Sequence, residues 1–224
     1  MSDRTDAPTG GLDFDFSRLD KAARYKLLSG VVVPRPIAFV TTMDENGVVN
    51  AAPYSFFNVF SDDPPLIVLG LQHKPDRTPK DTTRNIGRMG EFVVNMVDEP
   101  LTQAMNDSAA DFPAGTSEAE LLGLALALST TIRVPRLAAA PFALECRTMQ
   151  ALTFGTHRTL LIGEVTGLHA RTGLLDPETL RVDFSVYQPV GRLFGELYTR
   201  QTDTFAIRRR TVDEVLAARA QRED

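Results

Sequence analysis

Three apolar runs fill residues 36–72, and two short turn-forming segments separate them. They read PIAFVTTM, VVNAAPYSFFNVF and LIVLGLQ, divided by DENG and by SDDPP. Asn46 and Gly47 tolerate the positive φ of a hairpin turn, so the first two runs predict paired antiparallel strands. So short a link cannot return the chain for parallel pairing, which needs a crossover of about a dozen residues. Pro53 interrupts the second run. It has no N–H for a ladder, so it demands a sheet edge or a bulge.

The same reading extends along the chain. SRLDKAARYKLLSG predicts a helix over 17–30, capped by Ser17, with Asp20 at the third position and Gly30 as the stop. A second helix is expected from Pro79 to Met89, closed by Gly90, and a third over 98–110 with Pro100 in its first turn. Ser117 and Glu120 form a capping box ahead of an apolar stretch whose type stays open. Strands are expected at EFVVNMV, STTIRVP, FALECRTMQALTF and TLLIGEVTGLHA, a loop at TGLLDPETL, and short strand with irregular chain over 181–198. A terminal helix is expected at TVDEVLAARA. At least six strands, tight turns and half-buried alternation predict a mainly β fold with peripheral helices, its antiparallel sheet closed into a barrel. No G-x-G-x-x-G or P-loop motif occurs.

Composition removes several function classes. A net charge of −5 argues against general nucleic-acid binding, and Arg208–Arg210 read as a solvated surface. The single cysteine, Cys146, cannot form an intramolecular disulfide and reads as an inert buried thiol. His73, His157 and His169 lack metal-ligand spacing, so no metal site is expected. The polar N-terminus carries no signal core and no apolar run is long enough to span a bilayer; a soluble, cytoplasmic protein without membrane partners is expected. Residues 1–16 read as a disordered tail, 17–205 as one domain and 206–224 as a helical extension.

Two segments could carry chemistry. In PDRTPKDTTRNI, Thr78 as N-cap, Pro79 at N1 and Asp81 at N3 suffice for a capped surface helix. Free amides, Lys80 and the Thr82 and Thr83 hydroxyls are also what a phosphate would use. In NAAPYSFFNVFSDDPP, polar Asn50, Ser55 and Asn58 alternate with aromatic residues. That suits an ordinary two-faced strand, and equally a planar ligand laid along it. No nucleophile–base constellation stands out, which suggests that a cofactor supplies the hard chemistry.

The ordered series of VPRPIAFVTTMDENGVVNAAPYSFFNVFSDDPPLIVLGL, KDTTRNI, GEFVVNMV, ECRTMQ, HRTLLIGEVTGL and QPVGRLFGELYTR resembles the flavin reductase-like, FMN-binding split-barrel proteins over about residues 25–202. The resemblance implies an antiparallel split β-barrel, FMN as cofactor, NAD(P)H as electron donor and a homodimer with flavin near the subunit interface. It implies a hydride passed from NAD(P)H to flavin and on to an acceptor, with a downstream oxygenase or redox partner. An electron carrier without direct NAD(P)H reaction, or a redox-inactive flavin-binding module, stays open as an alternative. By the same resemblance Lys80, Asp81 and Thr82 approach the FMN phosphate, and Arg35, Thr41 and Thr42 lie near the cofactor. Ser55, Phe56, Phe57 and Asn58 match the strand along the isoalloxazine. His157 matches a position beside the flavin and is the catalytic candidate, while Arg192, Leu193 and Tyr198 match the C-terminal segment by which the partner chain of the dimer would help cover the flavin.

Overall fold

A computed structural model describes residues 10–74, 76–113 and 115–223. The part of the expected N-terminal tail at 1–9 lies outside these residues, as does Pro75 in the segment 75–86. The elements are α1 (Lys21–Val31), β1 (Ala38–Met43), β2 (Val49–Tyr54), β3 (Phe57–Asp62), β4 (Pro65–Gln72), α2 (Asp81–Met89) and β5 (Glu91–Met96). After a 3-10 turn at Glu99–Leu101 come α3 (Thr102–Asp107), α4 (Glu118–Leu121), β6 (Leu126–Ala127), β7 (Arg136–Leu137) and the long pair β8 (Phe142–Phe154) and β9 (Arg158–Ala170). β10 (Val190–Arg192), β11 (Tyr198–Arg200) and α5 (Val212–Glu223) complete the chain.

Seven strands form one antiparallel sheet in the order β2-β1-β5-β8-β9-β4-β3. β2 and β3 are neighbours in sequence, yet they occupy the two opposite edges. The sheet must therefore curl until its edges meet at Ser55–Phe56, which makes it a split antiparallel β-barrel. The return strand expected over 48–60, with its interruption at Pro53, is corrected accordingly: β2 runs through Pro53, and the chain breaks at Ser55–Phe56 to serve both edges. Pro53 stands on the edge strand β2, opposite Phe39, where its missing N–H costs no ladder bond.

Both faces of β1 are covered, which explains its unbroken apolar run. Ala38 and Val40 join Ile67, Leu69, Phe92 and Cys146 in one core. Ile37 and Phe39 join Ala51, Leu101, Met105 and Val190 in another. Burial pushes the Cys146 thiol well above its ordinary pKa, so little reactive thiolate forms.

Local corrections have local causes. Asp20, rather than Ser17, caps α1 by accepting from the Ala23 amide at 2.7 Å, while Ser17 hydrogen-bonds Asp15. The helix continues through Gly30 to Val31. The segment 129–135 is bent chain instead of a strand. Its Thr130 and Thr131 amides donate to the buried Glu145 carboxylate at 2.8 and 2.6 Å, so a side chain replaces a ladder partner.

Candidate functional site

A cleft of about 630 Å³ opens where β2 parts from β3. Its lining includes Lys80 and Asp81, the hydrogen-bonded group Asn50, Thr82 and Glu118, and the Phe56 ring with Tyr25 and Arg158 against it, together with Tyr54, Ser55, Gln72, His73 and Lys74. The cleft exists because Phe56 crosses over β4. The Gly70 amide donates to the Phe56 carbonyl at 2.7 Å, and a Cβ on Gly70 would stand 2.9 Å from Phe56 Cβ. Only glycine permits that approach without displacement.

The N-terminus of α2 faces this cleft in a form different from the expected cap. Lys80 is itself the N-cap residue and offers no side-chain acceptor. Thr78 lies outside the helix and donates its hydroxyl to Asp76 at 2.6 Å. The first-turn amides thus lack the side-chain cap that would have made this an ordinary surface helix. Thr83 Oγ1 is buried without a hydrogen-bond partner. Asp81 pairs with Arg84 at 2.7 Å, which offsets a negative charge next to the helix start.

Glu118 reaches the cleft from α4. Ser117 donates its hydroxyl to Val49 O at 2.7 Å and Glu118 accepts from the Ala51 amide at 3.1 Å, so this segment satisfies the open edge of β2. The hydrogen-bond network orients the Asn50 amide with nitrogen toward Glu118 at 3.3 Å and oxygen accepting from the Thr82 hydroxyl at 2.9 Å. Burial raises the Glu118 pKa, and Asp81 adds to the rise. Burial also pushes the Tyr54 phenol up to about 12.

Arg35 is almost fully buried and holds the site together. It donates to Ser29 O, to Val32 O at 3.3 Å, to Leu193 O at 2.9 Å and to Ser55 Oγ at 3.3 Å. Above Ser55, the Phe56 ring stacks with Tyr25 at 6.3 Å and carries the Arg158 guanidinium at 5.0 Å.

The structure thus brings Ser55, Phe56, Lys80, Asp81 and Thr82 to one cleft, with Arg35 behind Ser55. Thr41 and Thr42 do not line it: Thr41 donates to Pro135 O at 2.7 Å, and Thr42 accepts from Asn85 at 3.2 Å. Phe57 is buried in the barrel core, and Asn58 is exposed on β3. His157 precedes β9 and also lies outside the lining. Lys21, with lesser help from burial, Arg77 and His73, lowers its pKa. Of the covering candidates, Leu193 accepts from Arg35, and Arg192 sits over the Tyr198 ring at 4.4 Å.

Sequence reasoning missed Tyr25, Glu118 and Arg158. For Arg158 a signal existed in strand parity. Thr159 and Leu161 are buried on β9, so Arg158 starts on the opposite face.

A flavin reductase like domain model matches residues 29–191. An uncharacterized protein of Deinococcus radiodurans is 46% identical over 204 residues, spanning 88% of this chain and 89% of its own length. The 2-nitrobenzoate 2-nitroreductase of Pseudomonas fluorescens is 42% identical with a TM-score of 0.83, covering 90% of this chain and 98% of that one. Component B of nitrilotriacetate monooxygenase from Bacillus cereus is 36% identical with a TM-score of 0.84, covering 88% and 99%.

Proposed function

The chain belongs to the flavin reductase-like family, and on that premise we propose that it is an FMN-dependent oxidoreductase that takes hydride from NAD(P)H and passes electrons to an acceptor. The observation that carries the proposal is the uncapped start of α2 in the same cleft as the Phe56 ring. An anion at one part and a planar ring at the other are what those two features suit.

The residues present fit FMN. Lys80 and the first-turn amides, that of Thr82 among them, would hold its phosphate, and Thr83 places an unpartnered buried hydroxyl in the same turn. Ser55 and the segment that Arg35 braces would border the ring. When bound, the flavin supplies the two-electron chemistry. The protein's part is to orient, to exclude water and to place positive charge where negative charge develops. Arg158 and Lys74 line the cleft and can provide that field. His157 does not line it.

The nitroreductase and the monooxygenase component among its relatives favour acceptors beyond the flavin itself, including a partner oxygenase. A homodimer and a cytoplasmic setting are part of the same proposal. Among the described residues no helix is long and apolar enough to cross a membrane.

The test is the visible spectrum of the purified protein, recorded before and after anaerobic NADH and NADPH. Flavin bands that bleach with one nucleotide are expected and identify the donor. A yellow protein that never bleaches would replace the proposal by an electron carrier. Failure to bind or reduce added FMN would remove it.

A further inference from the structure

Two arginines approach the Phe56 ring, and they differ in what they do. The Arg35 guanidinium lies 6.0 Å from the ring centroid and spends its donors on three backbone carbonyls and Ser55 Oγ. The Arg158 guanidinium lies 5.0 Å away, half-buried, and among the described residues it makes neither a hydrogen bond nor an ion pair. A guanidinium carries five N–H donors, and this one lines the cleft without a protein acceptor among the described residues. Its local field is not balanced by acid. Of the cleft carboxylates, Asp81 is paired with Arg84, Glu118 accepts from the β2 backbone, and Asp111 is exposed without a bond to Arg158. Lys74 and His73 share the lining with Arg158.

A guanidinium stacked on an aromatic face keeps its edge free, and that edge matches a carboxylate or phosphate in a two-point contact. We propose that Arg158 receives the oxyanion, carboxylate or phosphate, of a second ligand that enters the cleft beside the Phe56 ring. This rests on the reading that a flavin occupies the remainder of the cleft, since the oxyanion then belongs to the molecule that reacts with the flavin. The class of second ligand is therefore a planar organic anion, and neutral molecules of the same shape bind less well.

The test is equilibrium dialysis of benzoate, phenyl phosphate and neutral benzamide against wild type, Arg158→Gln and Arg158→Lys, with and without FMN. FMN and riboflavin affinities are measured on the same proteins. Arg158→Gln is expected to weaken at least one anion tenfold or more, to leave benzamide within twofold, and to leave the FMN-to-riboflavin preference unchanged; Arg158→Lys should recover part of the loss. Weakening of benzoate alone assigns the contact to a carboxylate, and of phenyl phosphate alone to a phosphate. Equal weakening of benzamide, no preference for either anion in wild type, or a lost FMN preference over riboflavin would each overturn the proposal. The last outcome would place Arg158 on the cofactor's own phosphate. If wild type binds no FMN, the flavin reading falls while the dialysis without FMN still tests Arg158.

Discussion

The side chain of Arg35 donates to the carbonyl of Leu193 at 2.9 Å, across 158 residues of sequence. The backbones of Arg35 and Arg192 exchange two further bonds, both at 2.9 Å. One buried guanidinium thus fastens α1, Ser55 and the C-terminal segment behind the cleft. Replacing it by methionine keeps volume but orphans several acceptors. Arg35→Met should cost about 2–4 kcal/mol in urea unfolding, and Arg35→Lys, lacking the planar fork, should restore only part of it.

Lys80 stands at the uncapped start of α2. Lys80→Met should weaken FMN binding more than tenfold while leaving riboflavin, which has no phosphate, nearly unchanged. Flavin fluorescence titration reads both. Equal loss for the two flavins would mean that Lys80 shapes the cleft without gripping a phosphate.

Glu118 is buried, and burial raises its pKa above the ordinary carboxyl value. The folded chain then holds this proton more tightly than the unfolded chain, so its contribution to stability is complete at low pH and is lost as pH rises from about 4.5 through the raised value. Glu118→Gln removes that dependence. The stability of the variant relative to wild type should increase between about pH 4 and neutrality, measured by denaturant unfolding at each pH; a constant difference would mean that Glu118 does not titrate in this range.

Gly163 on β9 lies against the buried Phe92 ring, and an added Cβ would stand 2.6 Å from Phe92 Cζ. Gly163→Ala should destabilise the barrel by about 1–3 kcal/mol through overpacking. Combining it with Phe92→Leu should cost less than the sum of the two single changes, because both act on one contact.

Much of the architecture could be read from local signals. β8 spans Phe142–Phe154, the run expected from its composition, and Gly90 closes α2 in the left-handed conformation at φ 68°. The errors fall where a side-chain acceptor took the place of the expected backbone partner, whether 14 residues away or two. Thr130 and Thr131 look like strand residues until the Glu145 carboxylate takes their amides. Thr78 looks like a helix cap until Asp76 engages its hydroxyl.

The site divides in the same way. The residue types that suit a phosphate and a planar ring are local: a Lys-Asp-Thr helix start and a polar–aromatic strand, both set by short-range spacing. Whether each side chain faces the cleft depends on sheet order and burial, which arise from long-range pairing. Thr41 and Phe57 therefore turn inward, and Arg158 takes the cleft position beside His157. The sequence by itself determined an antiparallel barrel and the chemistry in its repertoire, since turns, edges and strand parity are short-range properties. Only the tertiary structure decided which groups share one cleft and which of two arginines there keeps its donors free, because that depends on where the backbone carbonyls of distant segments come to rest.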